Sequence, residues 1–286
     1  MRDAQAELAG AIELAGEEPS FATELPELKR RVEDLTAQLV ALLVPADPHR
    51  RDNTFVDIWS DRDSEDSARF AGDLVTHYRR YAEHRGWTAD MLDWAESEFF
   101  GYERVTLSIS GRGGTWPAFR FESGLHRTLF YSMTGPLGSP ATAVAEVLAY
   151  PEPAWRDRVT VNDADIRIDT YCPGLSCFGN RNPTTYLTHL PTGITASSSA
   201  APSQYSNKRR ALQLLASRLD ALAENRCTTA TFGRARPQCR TEPIRTYDYF
   251  TNRITDHRID LTVPRVFEPG ALDALVAALR RADPGA

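Results

Sequence analysis

The chain of 286 residues carries 42% hydrophobic and 25% charged residues and a net charge of −6. This is an ordinary globular composition, with no apolar run long enough to span a bilayer, so no membrane-spanning helix is expected, and two or more domains are. Charge is uneven: residues 1–100 hold 11 Lys and Arg against 22 Asp and Glu, while residues 156–262 hold 15 against 10. The C-terminal half is suited to nucleic acid, although the same imbalance arises by fluctuation in proteins that touch no RNA. Glu7, Glu13, Glu17 and Glu18 make the start acidic, unlike a signal peptide, and a cytoplasmic location is expected.

Residues 1–20 are rich in Ala and Glu with weak periodicity. From Glu27 to Leu43, the apolar residues Leu28, Val32, Leu35, Leu39 and Leu42 recur at helical steps, and Pro45 and Pro48 follow. Thr54–Trp59 reads as a strand. Asp66 is a candidate cap for a helix running through Phe70, Leu74 and Tyr78 to Tyr81, closed near Gly86. Glu103–Ile109, Pro117–Glu122, Val144–Tyr150 and Asp165–Tyr171 are strand-like. Thr185–Leu190 and Ile194–Ser198 follow as strands joined by the turn Pro191-Thr192-Gly193. A helix over Asn207–Glu224 places Leu212, Leu215, Leu219 and Leu222 on one face. Residues 226–243 read as an irregular linker, Arg245–Tyr249 and Arg253–Val263 as strands, and Ala271–Arg281 as a last helix. There are no internal repeats.

Several ordered segments resemble bacterial class-I peptide chain release factors. They are Phe70–Leu74 with Tyr78–Glu83 and Gly86-Trp87, Phe121–Gly124 with His126-Arg127, and Ile166–Thr170. Thr188–Ile194, Ser203-Gln204 with Asn207-Lys208 and Ala211-Leu212, and finally Ile244–Tyr247 with Arg253–Ile259 complete the series. The resemblance implies an α+β multi-domain fold: a helical N-terminal region over 1–52, a β-rich decoding-type domain over 53–160, and a catalytic-type domain over 161–228. A C-terminal segment over 229–286 would pack on the β-rich domain. It also implies a tool with two ends. One reads a stop codon on the small ribosomal subunit; the other carries Gly-Gly-Gln to the peptidyl-tRNA ester. There the glycines admit close backbone approach, and the amide residue's N–H stabilises the leaving oxygen.

Both ends depart from the family pattern. After Asp169-Thr170, the expected Phe-Arg-Ser-Ser-Gly-Ala-Gly-Gly-Gln is replaced by Tyr171–Asn180, in a loop three residues shorter, and Gly-Gly-Gln occurs nowhere in the chain. Phe178-Gly179-Asn180 is the nearest remnant, with Gly179 and Asn180 as the candidate catalytic residues. At the other end Ser132, Met133 and Thr134 fall on the codon-reading tripeptide, its stiffening proline replaced by Ser132, and the family's base-stacking histidine falls on Ala141. The Gly-rich stretch before Phe70 has become Ser60–Asp66. Lys208, Arg209, Arg210 and Arg245 fall where the family meets RNA backbone. Asp256, His257 and Arg258 read better as a buried polar network.

Cys172, Cys177, Cys227 and Cys239 lie in the basic half at spacings unlike a zinc knuckle, so free thiols rather than a metal site are expected, and no cofactor. The leading expectation is a translation-termination protein that binds the ribosomal A site or a peptidyl- or aminoacyl-tRNA, with degenerate stop-codon reading and lost peptidyl-tRNA hydrolysis. Two readings stand beside it: a tRNA-dependent enzyme with new chemistry at Cys172–Asn180, and a non-catalytic module that binds a protein partner. The family promotes peptidyl-tRNA ester hydrolysis, but without Gly-Gly-Gln the resemblance leaves open whether this chain is an enzyme.

Overall fold

A computed structural model describes residues 47–61, 64–98, 100–131, 139–152, 162–171, 183–223 and 242–283, together with Gly10, 26–32 and Leu35. They fall into two compact units, residues 1–48 with 280–286, and residues 49–279. In the first unit the described stretch over 26–32 is helical. In the second the elements run β1 (Asn53–Ser60), α1 (Glu65–His84), β2 (Thr88–Glu96), β3 (Tyr102–Ser110), α2 (Trp116–Phe119), β4 (Gly124–Tyr131) and β5 (Pro140–Glu152). They continue with β6 (Ile166–Tyr171), β7 (Thr184–His189), β8 (Thr195–Ser198), α3 (Gln204–Ala223), β9 (Pro243–Asp248), β10 (Arg253–Asp256) and β11 (Leu261–Pro264). Helix α4 (Pro269–Ala282) begins in this unit. The α+β class is as the sequence implies. No helix among the described residues is long and apolar enough to cross a membrane.

Eight strands form one sheet in the order β11-β10-β9-β4-β5-β1-β3-β2, antiparallel except for the parallel β4–β9 pair. A second sheet runs β6-β7-β8. Strand β1 is buried on both faces, which explains its nearly continuous apolar run. Val56 and Ile58 join Phe70, Leu74, Tyr78 and Tyr81 of α1 in one core. The alternate residue Phe55, with Leu148 and Tyr150 of β5, joins Leu187, Ile194, Ala211, Leu214 and Leu215 of the small sheet and α3 in another. The large sheet is therefore the middle layer between α1 and the β6–α3 module.

Helix α1 is capped by Ser64, not Asp66. Ser64 has extended backbone, and its side chain accepts from the Ser67 N–H at 3.2 Å. Asp66 lies inside the first turn, where its charge suits the helix N-terminus. Gly86, at φ +69°, follows the helix end as expected. The segment expected as a strand at Pro117–Glu122 instead starts with the helical turn Trp116–Phe119. Pro117 supplies a preset helical φ and lacks an N–H that the first turn would leave unused. Arg253–Val263 is not one strand but a hairpin, broken where Asp260 turns at φ +48°. Strands β2 and β4 carry no clear alternation in the sequence: β2 has two register shifts, and β4 buries His126 and Thr128.

Gly101 precedes β3 with φ +83°, and a Cβ there would collide with the Ala68 carbonyl of α1. Gly101→Ala is expected to cost about 2 kcal/mol or more, read as a lowered denaturation midpoint with an unchanged slope.

Candidate functional site

The two ends that the sequence marks are framed by well-defined secondary structure. At the first, β6 pairs with β7 from Ile166↔His189 through Tyr171↔Thr184, and β7 pairs with β8. The ends of the intervening loop are thus fixed opposite one another. Gly179 and Asn180, with Cys172 and Cys177, lie outside the described residues, as do Cys227 and Cys239. Among the described residues no group of three or more His, Cys, Asp or Glu could hold a metal ion.

Asn207 of α3 is fully buried. Its carboxamide oxygen accepts from the Ser198 hydroxyl (3.3 Å) and the Ala201 N–H (2.9 Å), and its nitrogen donates to the carbonyls of Pro183 (2.6 Å) and Ala201 (2.7 Å). All its hydrogen-bonding capacity is spent, so it ties the start of β7, the end of β8 and the 199–203 turn to one helix. One helical step on, Lys208 and Arg209 are exposed, and no ion pair holds either among the described residues. Arg210 pairs with Asp90 of β2 at 3.2 Å, with 38% and 53% of the two side chains exposed. An ion pair so open to water contributes little.

Farther along the helix, Arg218 joins the module to the large sheet. It donates to both carboxylate oxygens of Asp57 at 2.8 and 2.7 Å, and to the Tyr150 hydroxyl at 3.1 Å. Tyr150 in turn donates to Asp57 at 2.8 Å, and Thr106 to the other Asp57 oxygen at 2.6 Å. Burial opposes the Arg218 charge, but Asp57 more than offsets it and holds the guanidinium above its ordinary pKa. A second tie runs from Ser197 of β8 to Asp93, which also binds Arg104 at 2.6 Å. The sequence offered one signal for the Arg218 site, an aspartate in the middle of the apolar run Phe55–Trp59.

Arg245 corrects an expectation. Placed among RNA-facing basic residues by the family resemblance, it is wholly buried in β9. Its Nη1 donates to both Glu122 oxygens at 2.9 and 2.7 Å, and its Nε and Nη2 donate to Asp256 at 3.2 Å. No phosphate can reach it. Arg258 completes the cluster on Asp256 at 2.6 Å, and Tyr78 donates to Glu122 at 2.9 Å. Burial would raise the Glu122 carboxyl, but Arg245 outweighs it and holds it below the ordinary range. Of the three residues expected in a buried polar network, Asp256 alone is buried; Arg258, its side chain 26% exposed, reaches it from the surface, and His257 is exposed. The His257 Nε2 lies 2.7 Å from the Thr246 hydroxyl.

At the other end, Ser132, Met133 and Thr134 lie outside the described residues, which resume at Ser139. Ala141 sits on β5 opposite Phe130. Tyr131, the last described residue of β4, meets Phe250 of the β9–β10 turn edge to face at 4.4 Å, and both rings are substantially exposed. A hollow of about 480 Å³ beside them is lined by Asp66, Arg69, Asp73 and Thr128 among others.

Known proteins resemble this chain in sequence and in fold. Residues 1–147 match the family described as the PCRF domain. Peptide chain release factor 1 of Mycolicibacterium vanbaalenii is 41% identical over 294 residues, covering 98% of this chain and 82% of that protein. The factor of the same name from Rhodococcus jostii is 40% identical over 99% of the chain and 82% of its own length. Among solved structures, RF2 of Thermus thermophilus superposes with a TM-score of 0.70 at 25% identity, over 98% of this chain and 82% of that one. The chain belongs to the bacterial class-I peptide chain release factor family, whose work is translation termination. The two curated relatives named here are of type 1, and the solved structure is of type 2.

Proposed function

We propose that this protein engages the ribosomal A site or a tRNA as release factors do, in the cytoplasm, while its stop-codon reading is degenerate and its peptidyl-tRNA hydrolysis is lost. One observation carries the reading. Gly-Gly-Gln is absent from the whole sequence, whereas the paired strands that would present it are retained. Asn180 beside Gly179 could offer a backbone N–H, but Phe178 adds bulk where close approach to the terminal adenosine is needed, and small displacements of a positioned group cost large rate factors. At the codon end, Thr134 keeps a hydroxyl for reading bases. Ser132 gives up the rigidity of proline, and Ala141 gives up a stacking face. Lys208 and Arg209, exposed and without ion pairs among the described residues, support contact with RNA backbone, with Arg210 beside them.

The test separates binding from chemistry. Ribosomes halted at a stop codon with labelled peptidyl-tRNA are mixed with the purified protein, and co-sedimentation and ester cleavage are scored independently. Expected are salt-sensitive binding, weakened by joint replacement of Lys208, Arg209 and Arg210 with alanine, and cleavage no faster than without the protein. Rapid release that depends on the stop codon would overturn the proposal.

A further inference from the structure

Helix α3 presents Tyr205, Lys208 and Arg209 at i, i+3 and i+4, so the three side chains share one face. Tyr205 is 78% exposed and belongs to neither hydrophobic core, an unusual position for an aromatic ring. It is also a wall between two hollows. One, of about 670 Å³, opens between α3 and the edge strand β6 over an apolar floor of Ile166 and Ile168. The other, of about 410 Å³, lies along Ser206, Arg210 and Gln213. Tyr205 and Arg209 line both. The Gln204 amide, which donates to the Thr170 hydroxyl of β6 at 3.2 Å, pins the helix start to the strand, so the first hollow is held open by structure on both sides.

We propose that this ridge is a binding site for single-stranded RNA, in which Tyr205 stacks on a base seated in the β6 hollow while Lys208 and Arg209 hold the adjoining phosphates. It rests on the RNA-binding reading above and goes beyond it, because a basic cluster alone would serve any phosphate backbone, duplex or single. The exposed ring makes the difference. A duplex keeps its base faces stacked on one another, whereas an unpaired base can leave its neighbours for an aromatic side chain. The charge is complementary too: among the described residues Lys208 and Arg209 have no ion pair, and Asp163 is the one carboxylate lining either hollow. The apolar floor suits a base plane and not a phosphate.

The experiment uses the full chain and a fluorescently labelled, unstructured RNA ten-mer, read by anisotropy across a salt series. Tyr205→Ala is expected to weaken binding roughly ten-fold with an unchanged salt slope, and Tyr205→Phe to bind within about two-fold of the parent. Lys208→Ala is expected instead to lower the slope of log affinity against log salt by about 0.7. A hairpin of the same length should compete poorly. If the parent protein binds the ten-mer and Tyr205→Ala binds it equally well, or the hairpin competes as an equal, the stacking site is wrong while general RNA binding stands. If the parent binds no RNA even at low salt, the RNA-binding reading falls and this site with it. Because Tyr205 is so exposed, both variants should melt with the parent.

Discussion

Arg245→Met is expected to destabilise the protein by about 3–5 kcal/mol, one of the largest effects of any single change. Methionine fills much of the same space, so the loss is not one of volume. It strands the buried carboxylates of Glu122 and Asp256, which Arg245 now serves through four donor contacts. Arg258 still reaches Asp256, but among the described side chains Glu122 would keep only the Tyr78 hydroxyl. Adding Glu122→Gln should recover part of the loss, because two changes within one network are not additive. Denaturation midpoints of the single and double variants measure this. Ribosome co-sedimentation by Arg245→Met, at a temperature where it remains folded, should match the parent. A variant of normal stability that no longer bound ribosomes would restore Arg245 to the RNA-facing set.

Acid should unfold the protein well above the range in which its carboxylates titrate. His77 and His126 are fully buried in α1 and β4, and burial is the first cause that lowers each to about 4 from an ordinary 6.5. The Arg245 charge lowers His126 further, against a smaller opposing pull from Glu122. At His77 the upward pull of Glu122 is larger than the downward push of Arg245, and burial alone decides the direction. His126 sits between the Glu122 carbonyl at 2.9 Å and the Tyr247 hydroxyl at 3.2 Å. Neither His77 nitrogen finds a hydrogen-bond partner among the described residues, and its ring packs against Tyr247 and Phe267. The direction follows from linkage. Above pH 6.5 both rings are neutral whether the chain is folded or not. As pH falls from 6.5 towards 4, the unfolded chain takes up protons that the native fold refuses. Stability then drops by about 1.4 kcal/mol per pH unit for each histidine. Glu122 and Asp256, held below their ordinary values, give up their contribution only at lower pH, as they protonate. Guanidinium titrations at pH 7.5, 6.5, 5.5 and 4.5 should show this slope, and His77→Leu should remove about half of it. Constant stability from pH 7 to 5 would refute the assignment.

These expectations depend on residues whose surroundings are assembled from distant parts of the chain. Glu122, Arg245 and Asp256 come from three separate segments, and of the three only Asp256 reads as buried from the sequence; Glu122 and Arg245 look like surface charges to their own neighbours. The charge of Arg245 therefore pointed outward until the sheet order placed β9 beside β4. Local signals did better where one face governs. Helix α1 showed its apolar stripe, and the β6–β7–β8 strands came within a residue or so of their observed ends. Strands β2 and β4 were hidden because Asp93, His126 and Thr128 are buried polar groups, whose partners lie elsewhere in the chain. Of the candidate site, the family segments could be read directly and Lys208 and Arg209 do stand exposed. Tyr205 gave no sequence signal, since an isolated tyrosine at a helix start is ordinary until its exposure is known.

The pairing of Tyr171 with Thr184 gives the rewritten loop a consequence for how such proteins diverge. Its two ends are already brought together by the β6–β7 ladder and the buried Asn207, so what a change in the length of the segment between them alters is the entropic cost of closing a chain. That cost grows only as the logarithm of loop length, and adding or removing a few residues changes it by about 0.2 kcal/mol. The loop is therefore a cassette: it can be shortened, stripped of its glycines or exchanged for another sequence while the scaffold that carries it keeps its stability. Loss of the hydrolytic motif need not have passed through an unfolded ancestor.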